Sequence, residues 1–225
     1  MKEKLTEELI AMRAARELVP GDCCNLGIGI PLNCAAYMSE GVLVQSENGV
    51  LGYGPVYDRE SLDENVERVD WNVVDAGMRY LEHVPGMSFF DMLTSFVMIR
   101  SGRLFSILGG LQVSEKGDAA IHSMSEVDIA SKIGGSMDLA WGAKRLIVTM
   151  THCSKDGDPK IVRELTMPVT TRKRVDLIVT DLAVIEVTGS GLALKEFAPG
   201  WTPEEVQQQT GATLTIANDV REIEF

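Results

Sequence analysis

Glu47 is the side chain with most capacity for chemistry. It follows the short apolar run Val42-Leu43-Val44 and precedes Asn48-Gly49, a turn dipeptide. A carboxylate at a strand end is aimed by a rigid element, and Val50-Leu51 beside it could shield it from water. A partly desolvated carboxylate gains nucleophilicity and can form a covalent acyl intermediate; the other reading is a surface glutamate at a strand end. Gly134-Gly135-Ser136 precedes a short helical pattern. Free N–H groups there could stabilise an oxyanion, or the pair could be a plain hinge. Gly27-Ile28-Gly29 follows a short apolar run and lets backbone approach a ligand. It is not a dinucleotide fingerprint, because Leu32 stands where the third glycine is needed and Pro31 interrupts.

The other nucleophile and ligand types are dispersed. Cys23, Cys24, Cys34 and Cys153 include no CxxC pair and read as reduced, buried thiols. His83, His122 and His152 are too scattered to suggest a metal site. His152 and Cys153 are neighbours, but adjacent strand residues point to opposite faces, which makes a poor catalytic pair.

Elements that could position Glu47 alternate along the chain. Leu5, Leu9, Met12, Ala15 and Leu18 recur at helical spacing until Pro20-Gly21. A strand over 23–28, a helix over 32–39 and a strand over 42–44 follow. Residues 51–70 read as a loop, 71–76 as a strand or its approach, and 88–99 as a helix. A strand over 103–108 empties into Gly109-Gly110, residues 114–135 read as loop, and 136–144 as a short helix. Strands are expected at 146–150 and 177–180, then a hairpin whose arms flank Gly189-Ser190-Gly191. Thr202-Pro203-Glu204-Glu205 opens a last helix with a cap, a first-turn proline and two acids. This pattern predicts one α/β domain over 1–225: an open, mostly parallel sheet flanked by helices, with a late β-hairpin. Such sheets hold their sites beyond the C-terminal strand ends, where 27–31, 46–49, 109–110 and 134–135 are expected to meet.

Composition fits an ordinary globule and narrows the partners. The 225 residues carry 21 Lys+Arg and 33 Asp+Glu, a net charge of −12. That surplus argues against nucleic-acid binding, which needs clustered cations. The acidic N-terminus is not a signal peptide and no apolar run is long enough to span a membrane, so a cytoplasmic location is expected.

Five segments together resemble a known family: Asn25-Leu26-Gly27-Ile28-Gly29-Ile30-Pro31; Gln45 to Pro55, with Ser46-Glu47-Asn48-Gly49 inside it; Asp75-Ala76-Gly77; Ser95 to Arg100; and Gly134-Gly135-Ser136-Met137-Asp138-Leu139. Their order is that of the β subunit of family I CoA-transferases, of the 3-oxoacid or acetate type, over about residues 5–216. The resemblance implies a CoA-transferase-like α/β fold and a catalytic glutamate, which falls on Glu47. It implies attack of that carboxylate on an acyl-CoA, an acyl-glutamyl anhydride, then a glutamyl-CoA thioester, with ping-pong kinetics. It places Gly134 and Gly135 at the oxyanion and Asn25, Gly27 and Gly29 along the pocket. No metal or redox cofactor is implied; coenzyme A enters as co-substrate with an acyl-CoA and a carboxylic acid. The expected partner is an α subunit in an α2β2 assembly.

Two stretches depart from the family pattern. Residues 119–128 replace a segment that carries Asn-Trp and a Pro-Gly-Lys turn in common relatives, and bring His122 towards the acyl pocket. Residues 56–70 form a long insert. Two other readings share the same residues: an acyl-CoA hydrolase that captures the anhydride with water, and a non-catalytic ligand-sensing subunit.

Overall fold

The computed structural model describes residues 2–225 except 55, 58–61, 63–65, 68, 126 and 128–132. Its strands are β1 (Cys23–Leu26), β2 (Leu43–Ser46), β3 (Val50–Leu51), β4 (Val56–Tyr57), β5 (Tyr80–Leu81), β6 (Ser88–Phe89), β7 (Phe105–Gly109), β8 (Gln112–Ser114), β9 (Ala119–Ala120), β10 (Arg145–Met150), β11 (Ile161–Val162), β12 (Val175–Thr180), β13 (Ala183–Thr188), β14 (Gly191–Phe197) and β15 (Leu214–Glu222). The helices are α1 (Glu7–Ala15), α2 (Ile30–Asn33), α3 (Met92–Ile99), α4 (Ser136–Gly142) and α5 (Pro203–Gln208), with a 3-10 turn over Cys34–Tyr37. Among these, ten strands form one sheet in the order β15-β14-β13-β12-β10-β7-β1-β2-β3-β6. Its centre, β2-β1-β7-β10-β12, is parallel, and the antiparallel pairs lie at β2-β3-β6 on one side and β12-β13-β14 on the other.

Alternation along the central strands splits the core into two layers. Ile107, Ile147, Leu177 and Val179 face α1, whose Ile10, Ala11 and Ala14 are fully buried. Leu108, Leu146, Val148 and Ile178 face the opposite side, with Ile99 of α3 and Leu139 and Ala140 of α4. Strands buried on both faces read as continuous apolar runs, which is what β10 and β12 show. Among the described residues no helix is long and apolar enough to cross a membrane.

The open sheet, its helical flanks and the late hairpin β13-β14 are as expected. Several local readings are corrected. The segment read as a helix from 88 begins as β6, because Phe90 N donates to Gly49 O at 2.9 Å, and the helix starts only after Asp91, which caps it by accepting from Thr94 N at 2.9 Å. Residues 71–76 are turn rather than strand: Asp70 Oδ1 accepts from the Asn72 amide at 2.9 Å, folding the chain back so that β5 pairs with β4. The expected helix over 32–39 is split into α2 and the 3-10 turn. The loop assigned to 114–135 contains β9, which pairs with β8. β15, unanticipated, pairs parallel with β14 after the α5 crossover. Of the insert at 56–70, residues 58–61, 63–65 and 68 lie outside the described residues, as do 126 and 128 in the stretch 119–128.

Candidate functional site

The three parallel strands β1, β2 and β7 end side by side, and each delivers one wall of a cleft of about 270 Å³. Gly27 and Ile28 come from the end of β1, Glu47 from the turn after β2, and Leu108 and Gly109 from the end of β7. Gly134, Gly135, Ser136 and Leu139 close it from α4 and its approach, and Ile121 and His122 from the segment after β9. Ala76 completes the rim; its amide donates to Ser46 Oγ at 2.8 Å, which ties the 75–77 turn to the end of β2.

Glu47 sits at the tip of a hairpin that cannot shift freely. Asn48 Nδ2 donates to Val74 O at 2.8 Å, and Gly49 takes a φ of 108°, a backbone that suits glycine. A Cβ at 49 would overlap the carbonyl oxygen of Phe90, so the turn lies flat against the chain leading into α3. The Glu47 carboxylate packs on Gly135: a Cβ at 135 would overlap Glu47 Oε2 and stand 3.3 Å from Phe96 Cζ. The expected shield, Val50-Leu51, is instead occupied in pairing with β2 and β6. Burial raises the Glu47 carboxyl above its ordinary 4.5, and the negative charge of Asp138 on α4 raises it further.

Beneath the cleft lies a polar row across the sheet. Asn25, Gln45 and Ser106 are in register on neighbouring strands, and all three are buried. Asn25 Nδ2 donates to Gln45 Oε1, Gln45 Nε2 to Ser95 Oγ at 2.7 Å, and Ser106 Oγ to Leu139 O at 2.9 Å. Buried polar groups of this kind fix geometry because each broken bond strands a partner. The row thereby fastens α3 and α4, which carry Phe96 and Asp138, to the strands that carry Glu47 and Asn25.

Of the residues expected at the site, Glu47, Asn25, Gly27, Gly134 and Gly135 line one cleft. Gly29 does not: it turns the chain into α2 with a φ of 90°, one step beyond the lining residue Ile28. Asp138, Gln45 and the apolar wall of Leu108, Ile121 and Leu139 were not singled out from sequence. Only alternation on the strands and the helical face of α4 could have pointed to them. His152 is fully buried, its ring nitrogens held by Thr180 Oγ1 at 2.9 Å and Thr210 Oγ1 at 2.8 Å, and burial pushes it down to about 3. Cys153 meanwhile faces Gln209 O at 3.6 Å, so the two do not form a pair. All four cysteines are free thiols.

The raised Glu47 carboxyl has a consequence for stability. The folded chain binds that proton more tightly than the unfolded chain does, so the group's favourable contribution is complete below the ordinary carboxylate range. It is lost as pH rises through that range. Glu47→Gln removes the titration and keeps the shape. The variant is expected to melt higher than the parent at pH 7, with the gap closing as pH falls below 4.5. Identical melting temperatures at pH 7 would contradict a desolvated carboxylate.

Comparison with known proteins gives a consistent picture. A profile described as Coenzyme A transferase matches residues 7–209. One of the two kinds of chain in the 3-oxoadipate CoA-transferase of Acinetobacter baylyi is 41% identical over 217 residues, covering 95% of this chain and 97% of its own. The beta subunit of acetate CoA-transferase from Escherichia coli is 38% identical over 217 residues, covering 95% of each chain. Among solved structures, an acyl-CoA transferase apoenzyme from Escherichia coli O157:H7 superposes with a TM-score of 0.73 at 20% identity, over 98% of this chain and 43% of that one. At that identity the superposition speaks for the fold alone.

Proposed function

The chain belongs to the coenzyme A transferase family of enzymes and matches its β subunits along nearly its whole length, and on that premise we propose that it moves CoA between an acyl-CoA and a short-chain or 3-oxo carboxylic acid through a covalent thioester on Glu47. One observation carries the mechanism: a half-buried carboxylate, packed on a glycine, at the cleft where three parallel strands end.

Glu47 attacks the carbonyl carbon of the acyl thioester, the C–S bond breaks, and CoA leaves as thiolate from an acyl-glutamyl anhydride. The thiolate then attacks the glutamyl Cδ; the donor acid departs as carboxylate, leaving glutamyl-CoA thioester. The acceptor carboxylate repeats the two steps in reverse and regenerates the free side chain. Each half-reaction develops negative charge on a carbonyl oxygen. The backbone N–H groups of Gly134 and Gly135 make no hydrogen bond among the described residues, which supports them as donors to that oxygen. Desolvation favours attack, since a carboxylate stripped of water is the stronger nucleophile.

The dimensions support a division of labour. A cleft of about 270 Å³ accepts a short acyl group, but not the nucleotide end of CoA. That end therefore lies outside, on a surface shared with an α subunit. Met92, Leu93 and Val97 of α3 are exposed beside Met137 and Trp141 of α4, an apolar face of the kind that a partner covers. We assign that partner as the α subunit, in an α2β2 assembly.

The test is direct. The αβ complex, given acyl-CoA and no acceptor acid, should gain the mass of CoA less water on the peptide holding Glu47. Loading elsewhere, or none, would overturn the reading; release of free acid at the rate of exchange would favour hydrolysis instead.

A further inference from the structure

The cleft has a second polar pole opposite its apolar wall. His122 is buried and lines the same cleft as Glu47. Thr170 Oγ1 fastens it in place: that oxygen accepts the Ile121 N–H at 2.9 Å and the His122 N–H at 3.4 Å. The ring Nδ1 lies 2.6 Å from the same oxygen. A hydroxyl has two acceptor sites and one hydrogen. With both acceptor sites taken by backbone N–H groups, its hydrogen goes to Nδ1. The network thus assigns Nδ1 as acceptor and puts the imidazole hydrogen on Nε2.

Nε2 makes no hydrogen bond among the described residues. Nor is it one of the buried side-chain polar atoms left without a partner, so it opens onto the cleft. Around it the wall is apolar, from Leu26, Ile28, Leu108, Ile121 and Leu139. Among the described lining residues there is no Lys or Arg. A charged carboxylate on the far end of an acyl chain would be buried with no cation beside it, in a cleft already holding Glu47. That arrangement is costly, whereas a neutral oxygen needs only one donor.

We propose that His122 is a specificity-determining residue whose Nε2–H donates to a neutral oxygen carried by the acyl chain. The subsite thereby selects 3-oxo-type monocarboxylic acids over unsubstituted acids of equal length and over dicarboxylates. This rests on the CoA-transfer reading, and deepens it by naming the acceptor class. A site built to donate a hydrogen bond disfavours the analogue that lacks the acceptor, because the donor is then buried unpaired.

The αβ complex is assayed with acetyl-CoA as donor and 3-oxobutyrate, butyrate or succinate as acceptor. The readout is the ratio of kcat/KM for 3-oxobutyrate over butyrate, measured in one preparation so that the folded fraction cancels. In His122→Leu the ratio should fall about 10- to 100-fold. His122→Gln, whose amide N–H reaches the Nε2 position, should keep most of it. A ratio in His122→Leu within about twofold of the parent's overturns the proposal; so does a parent enzyme that prefers succinate, or that exchanges with none of the three acids. CoA loading of Glu47 is followed in the same samples. Loss of loading with a shifted ratio would sink the nucleophile and leave the subsite standing, and intact loading with an unmoved ratio would do the reverse.

Discussion

Glu47→Ala in the αβ complex is expected to lower CoA exchange on the order of 10⁴-fold or more, because the reaction loses the group that accepts the acyl and then the CoA. The fold should survive, since the side chain stands at a cleft and is only half-buried. Glu47→Asp is the sharper test. It keeps the charge and retracts the carboxylate by one methylene. The hairpin cannot follow, because Asn48 is tied to Val74 O and Gly49 O receives the Phe90 N–H at 2.9 Å. A misplacement of about 1 Å can cost about 10²-fold, so the aspartate should exchange CoA at a hundredth of the parental rate or less. Stopped-flow or steady-state exchange assays, with melting curves as control, would measure both. An alanine variant that kept a tenth of the parental rate would remove Glu47 from the chemistry.

How far these residues were legible depends on whether their signals were local. The turn that holds Glu47 was, since Asn48-Gly49 after an apolar run announces itself. So were β10, β12 and the capped start of α5, where composition and capping agree. The meeting of 27–28, 47, 109 and 134–135 followed from one topological rule about strand ends. What stayed hidden depended on register. Asn25, Gln45 and Ser106 are far apart in sequence and become a single row only when β2, β1 and β7 align. Asp138 acts on Glu47 only because α4 crosses above that row. β15 was missed because most of its side chains are exposed, so it lacks the apolar run that marks a buried strand. The helix assigned to start at 88 failed because pairing with β3 overrode periodicity in its first two residues.

Gly135→Ala is expected to cost activity without costing stability, which makes it the most diagnostic change outside the nucleophile. Gly135 has φ −86° and ψ 0°, a conformation any residue adopts, so alanine adds no backbone strain. Its methyl group would nevertheless occupy the space of Glu47 Oε2. The far end of a flexible side chain yields more easily than the backbone, so the carboxylate moves. Displacement of this size should lower kcat/KM about 10²- to 10³-fold. The melting temperature should stay within about 3 °C of the parent, as for a change under about 1 kcal/mol. Gly49→Ala should do the opposite kind of damage. There the new methyl group meets the Phe90 carbonyl oxygen, which is backbone, at a φ of 108°. A loss of about 3 kcal/mol or more is expected, visible first as a lower melting temperature and a poor yield of complex. If Gly135→Ala kept full activity while melting normally, the carboxylate would not need its place against that glycine, and the oxyanion role given to the Gly134-Gly135 pair would lose its geometric basis as well.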